Sequence, residues 1–168
     1  GEALAADLRR ERRDSLSLAM LDAERGGRRL DDREFGRLFQ NLVVGGVETT
    51  RNTLGWLLYE LIRHPDQKQK LIDDPSKIEV AVEEMIRWVS PILNMNRTVT
   101  RDTTLHGEKL REGDRVLVLY PAANRDEREF EHPDRFDVER WPNHHVAFGG
   151  YGEHHCLGAS LARLELKI

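Results

Sequence analysis

The sequence predicts a mainly α-helical protein with small β-sheets, an α+β arrangement, and three observations lead to that prediction. Apolar residues recur at helical spacing over a long run at residues 35–61 and again at residues 78–89. Helical spacing resumes after Cys156. Strand signals are confined to residues 97–120, where we expect two or three short strands separated by turns.

Length and composition limit the organisation of the chain. Its 168 residues are 39% hydrophobic, which suits one domain with a core or a piece of one. Gly1 begins abruptly and Ile168 interrupts a helical pattern. We therefore expect residues 1–168 to be part of a single domain that is truncated at both ends.

Charge and cysteine content argue against several classes of partner. The net charge is -4, from 26 basic and 30 acidic residues mixed along the chain, so neither nucleic acid nor an anionic membrane is an expected partner. The longest apolar stretch, residues 42–47, is too short for a membrane segment. A single cysteine forms no internal disulfide, which is typical of a reducing, cytoplasmic location.

Capping residues predict where the helices begin and end. The first 30 residues predict a helix followed by a loop at Gly26-Gly27. Asp31 and Glu34 form a capping-box pattern before the long run, which we expect to be one largely buried helix ending at His64.

A long irregular segment leads to the cysteine. Residues 121–155 follow neither period and contain five of the seven histidines, and so long an irregular segment is usually functional. It ends in a glycine-rich loop, residues 148–158, that places Cys156 at the start of a helix. A helix N-terminus favours the thiolate, the form that binds metal. A lone cysteine without such neighbours is more often buried and inert.

The middle of the long helix carries residues that do not suit a helix interior. Gly45 and Gly46 each destabilise it by about 1 kcal/mol relative to alanine, and Glu48 and Thr49 interrupt its apolar stretch. A local groove there would make room for a small ligand and a proton route. The alternative is close helix packing across the glycines with Glu48 in a salt bridge.

Glu84 and Arg87 lie three residues apart on the predicted helix at residues 78–89, away from its apolar stripe. Taken alone, this spacing indicates a surface ion pair worth roughly a few tenths of a kcal/mol.

In this order and spacing the three features resemble the cytochrome P450 superfamily of haem-thiolate monooxygenases, from about Asp31 to the end of the chain. The matches are residues 45–50 with the oxygen-activating helix, Glu84 and Arg87 with the Glu-x-x-Arg helix, residues 124–126 and 130–140 with the meander, and residues 148–158 with the cysteine loop. The resemblance implies the C-terminal portion of a bacterial-type cytochrome P450 fold, from the helix before the oxygen-side helix to the start of the helix after the cysteine.

The cysteine loop matches the family pattern at Gly152, His154 and Gly158 as well as at the cysteine. Phe148 departs from it, because Phe148 lies one residue further from the cysteine than is common, as though residues 149–151 hold an insertion. That form is associated with bacterial members that act on steroids and lipids.

The resemblance implies a role for each site residue. Cys156 would ligate the iron of haem b, Arg97 and His154 would bind the haem propionates, and Glu48 and Thr49 would relay protons. The further haem contacts would be Gly45, Phe148, Gly152 and Gly158. Glu84 and Arg87 would join a meander arginine, Arg140 rather than Arg135, in a network that supports the cysteine loop.

The complete enzyme would insert one atom of O2 into a C–H bond, with electrons from a ferredoxin or a flavoprotein reductase. The residues expected to line its substrate pocket are Leu42, Val43, Ile92, Leu93 and Met95. They are apolar, so the substrate is expected to be an apolar small molecule such as a steroid, terpenoid or fatty acid.

Three alternatives stay open. The chain could be a haem-binding fragment without catalytic competence, or part of a haem-thiolate enzyme that uses peroxide and does not need the Glu48-Thr49 pair. A more remote alternative is a zinc-binding module built from His144, His145, His154, His155 and Cys156, although it lacks a second spaced cysteine pair.

Overall fold

A computed structural model describes residues 1–150 and 152–168, with Arg25 described by its backbone alone. It is mainly helical with small sheets, which confirms the predicted fold class. The helices are α1 Glu2–Glu11, α2 Leu16–Asp22, α3 Asp32–Arg63, α4 Pro65–Asp73, α5 Ile78–Val89, α6 Tyr120–Ala123 and α7 Ala159–Lys167. A short 3-10 turn, Pro75–Lys77, leads into α5.

The strands form antiparallel pairs. The strands are β1 Glu24–Arg25, β2 Arg28–Arg29, β3 Asn94–Thr98, β4 Thr103–Leu105, β5 Glu108–Leu110 and β6 Arg115–Leu119. Strand β1 pairs with β2 and β4 pairs with β5, while β3 pairs with β6 in a register that sets Asn94 opposite Leu119 and Arg97 opposite Val116. Residues 97–120 were expected to hold two or three strands beginning at residue 97. In the structure, β3 begins three residues earlier and four strands form.

The chain divides into two compact units, Gly1–Glu48 and Thr49–Ile168. The core of the first unit consists of Ala5, Leu8, Leu21 and Phe35. The core of the second consists of Leu57, Ala81, Val82, Met85, Ile86, Phe136, Val138 and Leu166. Helix α5 supplies four of the second set, because its apolar residues recur at helical spacing on one face.

The start of α3 follows the predicted capping box. The Glu34 backbone N–H donates to Asp31 Oδ1 at 2.8 Å, and Glu34 Oε2 accepts from the Asp31 backbone N–H at 3.0 Å. The helix ends at Arg63, one residue before the predicted end at His64, and Pro65 begins α4.

Two expectations about the helices are wrong. Helix α3 is not largely buried, because the described residues cover only part of its surface: Val44, Val47 and Trp56 are each more than half exposed. The first 30 residues form two helices and a hairpin rather than one helix and a loop. The predicted break at Gly26-Gly27 is the hairpin turn, where both glycines have positive φ, 61° and 77°. Among the described residues, no helix is both long and apolar enough to cross a bilayer.

Candidate haem-thiolate site

The cysteine loop folds back on itself before α7. The backbone N–H of Cys156 donates to the Phe148 carbonyl at 3.0 Å, and the Cys156 carbonyl accepts from the Ala159 N–H at 3.2 Å as the helix begins. Gly149 and Gly152 make the turn possible with φ of 85° and 138°, conformations that other residues rarely adopt. The loop therefore holds Cys156 by its backbone at the start of a helix. Tyr151, within the predicted insertion, lies outside the described residues.

The Cys156 thiol is free and exposed, so the alternative of a buried, inert cysteine does not hold for this chain. A Cβ atom built on Gly152 or Gly158 would meet no atom within 4 Å. Packing within the chain does not require glycine at residue 158. An exposed thiol flanked by open backbone suits a flat, iron-containing ligand that approaches the loop closely, and the residues present therefore fit the implied haem.

Arg97 and His154 also have the chemistry that haem carboxylates require. Arg97 lies on β3, is exposed, and donates Nη1 to the Asn96 carbonyl at 2.9 Å. Its side chain lines an open depression of about 290 Å³ with Thr98 and Val116. His154 is exposed in the cysteine loop. Both side chains are accessible to a carboxylate ligand, which forms its strongest hydrogen bonds with charged donors.

The glycine-containing segment of α3 falls at the boundary of the two units. Gly45 and Glu48 are exposed in the first unit, while Thr49 is half-buried in the second. One turn further, Thr53 is buried and donates Oγ1 to the Thr49 carbonyl at 2.8 Å. Sequence reasoning missed Thr53, although a hydroxyl four residues after Thr49 on a helix is placed to bond back to that carbonyl.

The five predicted pocket residues differ in exposure. Leu42 and Ile92 are half-buried, whereas Val43, Leu93 and Met95 are 45%, 64% and 44% exposed. Met95 was expected just before the first strand, but it lies within β3 opposite Val118, because pairing with β6 begins at Asn94.

The Glu84–Arg87 pair is completely buried, which contradicts the interpretation of the spacing as a surface ion pair. Arg87 Nε and Nη2 donate to the two carboxylate oxygens at 2.6 and 2.8 Å, and both side chains have 0% exposure. Arg87 Nη1 also donates to the carbonyls of Asn124 and Pro133 at 2.6 and 2.9 Å. The meander covers this side of α5, so residues that lie off the apolar stripe are buried as well.

The meander contributes Arg140, and not Arg135, to this carboxylate. Arg140 Nε lies 3.0 Å from Glu84 Oε2, an ion pair rather than a directed hydrogen bond, and the Arg140 side chain is 11% exposed. Its Nη atoms donate to the carbonyls of Glu131, His132 and Arg135. Arg135 takes part through its backbone carbonyl, while its own side chain is 61% exposed.

Asn124 connects this network to the segment that leads to the cysteine. It is fully buried, donates Nδ2 to Ser90 Oγ at 2.8 Å, and accepts at Oδ1 from the Val146 backbone N–H at 2.8 Å. The Ser90 hydroxyl donates in turn to the Arg87 carbonyl at 2.8 Å. Sequence reasoning placed Asn124 in the meander but did not recognise this bridging role.

Two of the four histidines of the zinc alternative pair with carboxylates. His144 Nδ1 lies 2.8 Å from Glu129 Oε1, and His145 Nε2 lies 3.1 Å from Glu83 Oε2. Within residues 1–150 and 152–168, no three His, Cys, Asp or Glu side chains are grouped as ligands of one metal ion. The arrangement therefore does not support the four-ligand site of a zinc module.

Comparison with known proteins gives consistent matches over the whole chain. The family model described as "Cytochrome P450" matches residues 2–78 and 76–168. A "Methyl-branched lipid omega-hydroxylase" of Mycobacterium bovis is 45% identical over 99% of this chain and 39% of its own length. A "Steroid C26-monooxygenase" of Mycolicibacterium smegmatis is 45% identical over 95% of this chain and 40% of its own length. The chain thus spans about two fifths of the length of these relatives.

Solved structures agree with the sequence relatives. A Mycobacterium marinum cytochrome P450 in complex with pseudoionone superposes with a TM-score of 0.93 at 43% identity, covering 98% of this chain and 40% of that one. From the family-model match and the relatives at 45% identity, this chain belongs to the cytochrome P450 family.

Proposed function

We propose that this chain forms the cysteine-ligand portion of a haem-thiolate monooxygenase that inserts one atom of O2 into a C–H bond of an apolar small molecule. The observation that carries the proposal is the exposed thiol of Cys156, whose backbone N–H donates to the Phe148 carbonyl just before α7, in a chain of this family. Haem b, when bound through a thiolate, supplies the oxygen-activating chemistry.

The chain's own residues would bind and orient this group. Cys156 would ligate the iron as thiolate, and Gly152 and Gly158 would leave the backbone open to the ring. Phe148 and Gly45 would be further contacts of the haem. Arg97 and His154 would bind the propionate carboxylates through charge-assisted hydrogen bonds. Glu84, Arg87 and Arg140 would support the loop from behind through Asn124, whose side chain receives the Val146 N–H.

Glu48 and Thr49 would carry protons, as an acid followed by a hydroxyl. Electrons would come from a ferredoxin or a flavoprotein reductase. Relatives named for methyl-branched lipids and steroids support an apolar substrate of the lipid, steroid or terpenoid class. The apolar side chains of Leu42, Val43, Ile92, Leu93 and Met95 suit such a substrate.

The test of the ligand is the absorption spectrum of the reduced, carbon monoxide-bound protein, compared with that of Cys156→Ser. We expect a red-shifted, thiolate-type haem band in the parent and its loss in Cys156→Ser. A thiolate-type band that survives the serine substitution would overturn the ligand assignment.

The proton role has its own test, with Thr50→Ala as the matched control on the next position of α3. Thr49→Ala is expected to release peroxide in place of product while the rate of electron consumption is kept, and Thr50→Ala is expected to stay coupled. Unchanged coupling in Thr49→Ala would remove Thr49 from the proton route.

A second candidate is haem binding without turnover, and it rests on one observation: the chain spans about two fifths of the length of its relatives. The absorption spectrum of the reduced, carbon monoxide-bound protein shows whether the chain binds haem, as both candidates require. Product formation with an added electron donor then distinguishes a monooxygenase from non-catalytic haem binding.

A further inference from the structure

A second cluster of charged residues lies beside the cysteine loop. Glu83 on α5 accepts two hydrogen bonds from Arg163 on α7, at 2.7 and 2.9 Å. His145 is paired with the same carboxylate at 3.1 Å and its side chain is 3% exposed. Because the Ala147 backbone N–H donates to His145 Nδ1 at 3.2 Å, the proton of His145 lies on Nε2, directed at Glu83. Three separate segments thus meet at one carboxylate.

Phe148 lies against this cluster. The Arg163 guanidinium lies over the Phe148 ring, 4.7 Å from its centroid, and the His145 ring lies 5.8 Å away in a tilted arrangement. The carbonyl of Phe148 accepts the N–H of Cys156 at 3.0 Å. Phe148 therefore links the Glu83–Arg163 pair to the cysteine, because its ring contacts Arg163 and its carbonyl binds the Cys156 N–H.

The charges in the cluster are strongly coupled. Burial opposes ionisation of Glu83, yet hydrogen bonds from His145 and Arg163 lower its pKa to about 2. The pKa of Arg163 is raised, mainly by its hydrogen bonds to Glu83 and against its partial burial, and in smaller part by the negative charges of Glu83 and Cys156. The Glu83 and Arg163 charges thus offset each other beside Phe148, the residue whose carbonyl binds the Cys156 N–H.

We propose that Glu83 and Arg163 are positioning residues for Cys156: with His145 they hold Phe148, and their opposite charges balance each other near the cysteine loop. This inference rests on Cys156 being the haem ligand. Loss of either partner leaves the other charge unpaired near the cysteine loop, so the two losses are expected to act in opposite directions. A purely structural role would give both losses the same sign.

The test is the haem reduction potential in the haem-loaded protein. Reduction adds negative charge at the iron site, so Arg163→Gln, which leaves Glu83 unpaired, is expected to lower the potential. Glu83→Gln leaves the Arg163 cation and is expected to raise it. The double variant is expected to return toward the parent. The control is Lys167→Gln, which removes the 2.7 Å pair with Glu79 that also joins α7 to α5 but lies on an exposed carboxylate.

A second measurement follows the loss of the thiolate-type carbon monoxide band with time. Arg163→Gln is expected to lose the band roughly five- to tenfold faster than the parent, because a charged hydrogen-bonded pair is broken. Lys167→Gln is expected to match the parent. Arg163→Lys keeps the charge without the planar fork over the ring, so it is expected to keep the potential but lose the band faster.

The outcomes separate the two proposals. A parent protein without a thiolate-type band overturns the ligand assignment and this inference with it. This inference alone is overturned if the parent shows the band but the potentials of Glu83→Gln and Arg163→Gln shift from it in the same direction. It is also overturned if those shifts are no larger than the shift of Lys167→Gln.

Discussion

An ion pair in the first compact unit and one in the second differ sharply in exposure. In residues 1–48, the Arg28–Glu34 pair is close, at 2.8 Å, but Arg28 is 67% exposed and Glu34 is 34% exposed. In residues 49–168, the Glu84–Arg87 pair has 0% exposure, and both side chains also hydrogen-bond to backbone groups of the meander. Ion pairs of similar length therefore contribute differently to the free energy of unfolding. The groups of an exposed pair can bind water when the pair breaks, whereas those of a buried pair cannot. We therefore expect substitutions in the exposed Arg28–Glu34 pair to be tolerated better than substitutions in the buried Glu84–Arg87 pair.

The strongest test of this difference is Glu84→Gln. It leaves the buried Arg87 guanidinium without its counter-charge, so we expect the free energy of unfolding to fall by about 3–5 kcal/mol. Urea unfolding at neutral pH measures the change, and Glu34→Gln in the other unit is the control, with a much smaller loss. Similar losses in the two variants would contradict the comparison.

A smaller effect is expected at the edge of the buried network. Arg140→Gln removes an ion pair to Glu84 and three hydrogen bonds to backbone carbonyls, for a loss of about 1–3 kcal/mol. Arg135→Gln is the matched control, because Arg135 serves the network through its backbone and its side chain is 61% exposed. The same unfolding measurement would contradict the assignment of Arg140 if the two variants lost equal stability.

The smallest effect is expected in the exposed pair, where it appears as a dependence on pH. The Arg28 side chain, and then the Asp31 N–H, lower the pKa of Glu34 to about 2 from an ordinary value of 4.5. A carboxylate with a lowered folded-state pKa stabilises the fold above its unfolded pKa, and this contribution is lost as the pH falls from about 4.5 toward 2.

Arg28→Gln is therefore expected to weaken the acid sensitivity of the first turn of α3, as followed by thermal unfolding between neutral and acid pH. Raised salt is expected to reduce the difference from the parent, because exposed charges are screened. Arg33→Gln, an exposed arginine on the same turn, should leave the acid dependence unchanged. If Arg28→Gln keeps the full acid dependence of the parent, the Asp31 N–H alone keeps the Glu34 carboxylate ionised.

Local signals in the sequence predicted local structure well. The capping box at Asp31 and Glu34 predicted the start of α3, and the run of β-favouring residues at 116–119 predicted a strand. Glu84 illustrates the limit. Its spacing from Arg87 says that the two side chains can meet, but burial depends on Asn124 and Pro133, some forty residues away, whose carbonyls bind Arg87.

The candidate site shows the same division. The loop before Cys156 could be predicted from its glycines and from a family resemblance. The pairing of Arg163 with Glu83 could not, because 80 residues separate them and no sequence motif marks either residue. The exposure of α3 was likewise unpredictable, because an apolar pattern states which face prefers burial and not which part of the chain covers it.

Ser90 has a consequence for which residues the end of α5 can tolerate. Its backbone is left-handed, with φ 44°, a conformation that glycine adopts more easily. Glycine would relieve that strain but would lose the hydroxyl that donates to Arg87 and accepts from Asn124. Alanine would keep the strain and lose the same hydroxyl, and a larger polar residue would have to fit a site that is 1% exposed. Serine therefore meets a backbone requirement, a hydrogen-bonding requirement and a size limit together, and random variation at this codon should leave few folded survivors.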